Sequence, residues 1–297
     1  MLKKRNMILC AVFCTFLWGS AYPVIKSGYA VMNIVNTADK IMFAGVRFFV
    51  AGIMVLLFSL VYKKKFPVLE KKEVLPALLF GFVQTTLVYL FNYIGVANTT
   101  ATRTSLLTSL PAFLAVLFAP LFFKDEYLNS QKIIGCVIGL LGVAVVNTGS
   151  FDVPFSFMGD GLIIISMVCN TFGGFIGKKV SNGKAAKMTA YQLLFGGLIL
   201  IVLSLAFGGK FMFSLRGASI TFYLAFVSAV AFLLWTYLLT LYEAGEVLVF
   251  NLLIPIFGAV WSFVLLKERD MLNPAFIVSA LLVSIGIVLV NFKNKKS

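Results

Sequence analysis

The chain has 297 residues, 61% of them apolar and 12% charged, with a formal net charge of +14 and a mean hydropathy of +1.01. Soluble domains average about 45–50% apolar and about 25% charged residues, so this composition excludes a water-soluble fold. The basic residues gather between apolar runs and form no basic face with interleaved aromatics, which argues for membrane loops and against a nucleic-acid partner.

A helix needs about 20 mostly apolar residues to cross the hydrocarbon core of a bilayer. Taken in chain order, runs that meet this need fall near 6–26, 41–62, 74–96, 103–123, 131–149, 159–178, 188–207, 217–241, 246–266 and 274–292. The first follows Met1-Leu2-Lys3-Lys4-Arg5 and resembles a signal peptide, but it continues past Trp18 and is expected to stay as a span. The runs are continuous, whereas barrel strands alternate over about 10 residues. The fold class expected is therefore an all-α integral membrane protein of ten transmembrane helices.

Lysine and arginine set the orientation. Seventeen fall on the side shared by both termini, among them Lys63, Lys64, Lys65, Lys71 and Lys72. Seven fall on the other side, and Arg47 lies within a span. Both termini are expected in the cytoplasm, with the chain multi-pass in the cell membrane.

Sliding the chain on itself by 144 residues pairs Pro111 with Pro255, Tyr93 with Tyr237, Gly142 with Gly286, Asn147 with Asn291 and Asn129 with Asn273. A slide of 145 pairs Gly52 with Gly197 and Ser59 with Ser204. Residues 1–150 and 151–297 thus form two related five-helix repeats. Five is odd, so the second repeat enters the membrane from the opposite side. Inverted repeats place a binding site near the midplane and let it open to either face in turn.

The first span carries Phe16-Leu17-Trp18-Gly19-Ser20-Ala21-Tyr22-Pro23-Val24-Ile25-Lys26. The second carries Gly45-Val46-Arg47-Phe48-Phe49-Val50-Ala51-Gly52. The ninth reads Leu253-Ile254-Pro255-Ile256-Phe257-Gly258-Ala259 and ends at Leu266-Lys267-Glu268. With ten spans and a duplicated half, the chain resembles the EamA-type branch of the drug/metabolite transporter superfamily over nearly its whole length. The resemblance implies a carrier, mostly an exporter, of amino acids and other small metabolites. The matching first-half turn, Lys124-Asp125-Glu126, sets its glutamate two residues further from the proline than Glu268 is.

Polar groups inside a membrane are costly and face the protein interior or a wet cavity. No Asp or Glu falls in the middle of a span, which argues against a buried carboxylate that carries protons or polycations. Asp39, Glu243 and Glu246 sit at span ends and are expected to be solvated. Arg47, about two turns into the second span, is expected to bond neighbouring carbonyls or to snorkel outward. The alternative makes it an anchor for a substrate carboxylate. Pro111 and Pro255 are hinge candidates, because each removes a backbone bond inside its helix. Candidate substrate-binding residues are Trp18, Tyr22, Asn92, Ser105, Thr108, Asn170, Trp235 and Asn251, and Gln84, Tyr89 and Tyr93 recur near Asn92 at helical spacing. Gly135-xxx-Gly139 with Gly142, and Gly173-xxx-Gly177, should let helices approach closely within one molecule, or between two copies.

Cys10, Cys14, Cys136 and Cys169 all lie inside apolar runs, no CxxC occurs and histidine is absent, so neither a metal nor another cofactor is expected. A membrane enzyme is disfavoured by the missing histidine, the missing HExxH and the missing aspartate pair. The expected partners are a small-molecule substrate and membrane lipid, as a monomer or a homodimer. The function expected is alternating-access export of small neutral or zwitterionic metabolites such as amino acids. Export of lipophilic or quaternary cations held on aromatic faces is the alternative.

Overall fold

The structure, a computed structural model, describes residues 4–64, 66–146, 154–267 and 274–291. Asn147, Glu268 and Asn273, and the far end of the fifth predicted span, lie outside the described residues. Ten spans run in the order α1 (Lys4–Val31), α2 (Thr37–Lys63), α3 (Lys71–Ala97), α4 (Ala101–Leu107 and Leu110–Phe122), α5 (Ser130–Val146), α6 (Phe157–Val180), α7 (Ala185–Ala206), α8 (Leu215–Leu241), α9 (Ala244–Leu266) and α10 (Pro274–Asn291). No strand occurs among the described residues.

The ends follow local chemistry. The hydroxyls of Thr100, Ser156 and Ser214 accept from the backbone N–H groups of Arg103, Gly159 and Gly217, each meeting one of the donors that a helix start leaves unsatisfied. Glu70 and Glu73 form a reciprocal capping box at the start of α3. Besides α4, which breaks at Thr108-Ser109, three spans depart from the regular α-helix among the described residues. Residues 82–87 of α3 and 157–161 of α6 widen into π turns, and α9 tightens into a 3-10 turn over Val249–Leu252.

Successive spans alternate in direction, so α1 and α6 run oppositely and the two halves form an inverted repeat. The packing scheme maps onto itself when α1–α5 are exchanged with α6–α10. The contacts of α1 with α8 and α9 answer those of α6 with α3 and α4, and α2 against α8 answers α7 against α3. The pairs α2–α7, α4–α9 and α5–α10 map onto themselves.

Two of these pairs preserve the repeat register in detail. A Cβ added to Gly45 would come within 3.0 Å of the Gly197 carbonyl oxygen, and one added to Gly52 within 2.9 Å of the Ala190 oxygen. These contacts exchange under the slide of 145. In α5–α10, Gly135 meets the Gly286 oxygen and Gly142 meets the Ser279 oxygen, and these exchange under the slide of 144. Lipid tails are as apolar as leucine, so close backbone approach is what holds such helices together. Gly173 and Gly177 likewise admit Gln84 and Phe80 of α3. The glycine patterns thus serve packing within the molecule.

The carboxylates at the span ends differ from expectation. Asp39, Glu246, Glu73, Glu126 and Asp160 are all buried. Asp39 accepts from the Lys210 amide at 2.7 Å. Glu246 pairs with Lys4 at 2.9 Å and Glu243 with Lys132 at 2.5 Å. Each buried carboxylate finds a donor on a segment distant in sequence, which removes the need for water. Glu73 holds both Lys184 and Lys187, and its hydrogen bond raises the Lys184 ammonium above the ordinary lysine range.

Candidate functional site

Six aromatic rings from four spans form a continuous wall inside the bundle. Tyr93 packs near Tyr89, whose ring lies 4.3 Å from that of Phe48. Phe48 reaches Phe232 at 6.1 Å, Phe232 meets Trp18 at 5.4 Å, and Trp18 meets Trp235 at 4.9 Å, centroid to centroid. The contacts of Phe48 and Trp18 with Phe232, and of Trp18 with Trp235, are edge-on, the geometry that ring quadrupoles favour.

Arg47 lies on this wall. It is 4% exposed, and its guanidinium carbon stands 4.4 Å above the Phe48 ring and 5.4 Å from the Tyr89 ring. The bonds to neighbouring carbonyls expected from the sequence are not formed among the described residues. Its Nε has no hydrogen-bond partner, and no carboxylate pairs with it among the described residues. Its burial also rules out snorkelling to the surface. The indole N–H of Trp18 and the hydroxyl of Tyr29 are likewise buried without a protein partner. Two of these three groups can only donate, and the third can.

Amide groups stand beyond Phe232. A small cavity there is lined by Gln84, Asn170, Phe232, Trp235 and Thr236. The Gln84 Nε2 lies 3.5 Å from the Asn170 Oδ1, and the Gln84 Oε1 has no hydrogen-bond partner. The π turn in α3 explains how Gln84 comes to share a side with Tyr89. Five residues on a regular helix are about 140° apart, and the wider turn brings them nearly into line. Gln192 of α7 steadies that turn, donating to the Thr85 hydroxyl at 2.9 Å, while the Thr86 hydroxyl donates to the Gly196 oxygen at 3.2 Å.

The structure therefore joins Trp18, Trp235 and Asn170 of the predicted set. Tyr22, one turn beyond Trp18 on α1, is 52% exposed and borders Gly258 of α9. Asn92 is half-buried on α3 between Tyr89 and Tyr93. Ser105, Thr108 and Asn251 have no hydrogen bond or ring contact to the wall among the described residues. The Thr108 hydroxyl is turned back to the Ser105 carbonyl at 3.0 Å, and Asn251 is buried in the 3-10 turn of α9. Pro111 and Pro255 each stand in the first turn of a helical segment, after the break at Thr108-Ser109 in α4 and after the 3-10 turn in α9, and the Pro111 segment packs against Ala244–Leu252, the part of α9 that precedes Pro255. Tyr29, Phe48 and Phe232 belong to the site but do not stand out in a chain in which 15% of residues are aromatic.

A cavity of about 510 Å³ opens elsewhere, between the end of α2, the α6–α7 turn and α8, and takes in none of the predicted residues. The four cysteines are free, and no cluster of three metal-ligating side chains forms among the described residues.

An all-helical bundle that spans the membrane as two inverted repeats is the architecture of a solute carrier. The EamA-like transporter family matches residues 5–148 and again 157–292, and the chain belongs to that family. Its relatives include the uncharacterized transporter YetK of Bacillus subtilis (strain 168), 29% identical over 84% of this chain and 80% of that one. YvbV of the same organism, also named an uncharacterized transporter, is 28% identical over 99% and 94%. The uncharacterized inner membrane transporter YedA of Escherichia coli (strain K12) is 30% identical over 77% and 73%. A solved crystal structure superposes with a TM-score of 0.80 at 14% identity, over 96% of this chain and 97% of that one, which supports the fold.

Proposed function

We propose that this transporter exports small zwitterionic metabolites, amino acids foremost, across the cell membrane by alternating access, with both termini in the cytoplasm. The observation that carries the substrate class is Arg47, a buried cation with no acidic partner among the described residues. An uncompensated charge in a low-dielectric interior costs several kcal/mol, so a ligand that neutralises it binds with that energy in its favour. A carboxylate matches the planar fork of the guanidinium. The ammonium end of a zwitterion then meets aromatic faces and the Gln84 and Asn170 amides. The direction, export, follows from the family resemblance. The basic loops on the side of the termini support the orientation, and the relative YedA, named an inner membrane transporter, supports the location.

Counterflow exchange in proteoliposomes, with no ion gradient, tests this reading. Liposomes loaded with unlabelled amino acids should accumulate the same labelled compounds, and Arg47→Gln should raise the KM about 100-fold or more. A flat result across the panel from folded protein overturns the amino-acid reading. Exchange of quaternary ammonium compounds that Arg47→Gln leaves intact supports the cation alternative instead.

A further inference from the structure

Lys40 and Arg47 stand seven residues apart on α2, hence on one face and about 10 Å apart along the helix axis. Tyr29 of α1 fills the space between them. The Lys40 ammonium lies 5.6 Å from the centre of the Tyr29 ring, and buried Phe43 packs edge-on against that ring at 5.8 Å. The Tyr29 hydroxyl is buried. Lys40 is half-buried in the first turn of α2, at the end where the α1–α2 loop meets water. No carboxylate pairs with it among the described residues, since its neighbour Asp39 is engaged by the Lys210 amide.

We infer that Lys40, seated over the Tyr29 ring, forms a second, shallower carboxylate subsite, through which the substrate passes between Arg47 and the water at the α1–α2 loop. This rests on the carboxylate reading of Arg47. A solute held by one deep cation leaves slowly, and passage through a membrane requires sites that are weak enough, or numerous enough, to release it. The two side chains suit unequal tasks. The rigid fork of arginine holds a carboxylate in one geometry, whereas the lysine ammonium is a hydrated point charge on a flexible stem. The Tyr29 ring lies beneath the lysine and against Phe43, one turn before Arg47 on α2.

A relay at one mouth leaves a directional kinetic signature. For solute entering from the α1–α2 side, Lys40→Gln should raise the KM about fivefold, the weight of one charge pair at contact in water, with an unchanged maximal rate. For solute leaving by that side, the maximal rate should fall about fivefold with an unchanged KM. The ratio of maximal rate to KM then drops equally in both directions, as a passive carrier requires. Lys40→Arg should restore both. Raising the salt concentration should slow entry into wild type and not into Lys40→Gln, because the attraction is screened. These constants are read with a labelled amino acid in intact cells and in inverted vesicles. Unchanged kinetics, or a loss of the same form in both directions, overturns the relay. Wild-type protein that exchanges no carboxylate-bearing solute overturns the Arg47 reading itself, and measuring it first separates the two failures.

Discussion

The Trp18 indole makes two kinds of contact that can be separated by substitution. Its ring stacks edge-on with Phe232 and Trp235, and its N–H is left for a ligand. Trp18→Phe keeps a ring in the stack and removes only the donor. The expected outcome is a folded protein whose KM for zwitterions rises about tenfold, the weight of one hydrogen bond to a charged group. A thermal melt alongside the exchange assay checks that the fold is kept. Arg47 and Trp18 were legible as candidates from the sequence, because a charge or an indole deep in an apolar run is rare. The state of the charge was not. Whether an arginine in a span is bonded, snorkels or waits for a ligand depends on neighbours brought from other helices, and those neighbours are not encoded near it. The same holds for Glu246, whose lysine partner lies 242 positions away.

At the scale of elements, run lengths and hydropathy were enough to place ten spans within a few residues. The irregular turns were not, because a π turn and a 3-10 turn keep the same apolar content as the helix around them. The α3 turn depends on Gln192 and Gly196 of α7, and α7 is remote in sequence. The break in α4 was partly signalled by Pro111, although it falls before the proline, at Thr108-Ser109. The α8–α9 corner shows what a single loop residue can hold. Glu126 of the α4–α5 turn accepts from the Ala244 amide at 2.7 Å and the Gly245 amide at 3.3 Å, and pairs with Lys178 at 2.7 Å. Lys178 also donates to the Tyr242 oxygen. Glu126→Ala leaves a largely buried lysine and two amides without their acceptor. It should destabilise the detergent-solubilised protein by about 3 kcal/mol, read as a lower melting temperature, and Glu126→Gln should lose less.

On the scale of the molecule, the repeat was visible in the sequence as matched prolines, glycines and asparagines, but its consequence for packing was not. Most of the close helix pairs join the first half to the second: α2 with α7, α5 with α10, α1 with α8 and α9, and α3 with α6 and α7. A rigid rocking of residues 1–150 against 151–297 would break nearly all of them. The units that move must each draw helices from both halves. It follows that neither half is a folding unit. Residues 1–150 and 151–297 made as separate chains should each be degraded when expressed alone, and should recover transport when expressed together. Independent accumulation of either half, resistant to protease in the membrane, would contradict this.

The glycine crossings also set a clock on biosynthesis. Gly45 and Gly52 are ready to pair once α2 has entered the bilayer, but their partners on α7 lie about 140 residues further along the chain. At roughly 5–20 residues per second that delay is about 7–30 s. Throughout it, α2 presents a notched, unfilled face to lipid. Slower translation between α2 and α7 prolongs that exposure without changing any contact in the finished protein.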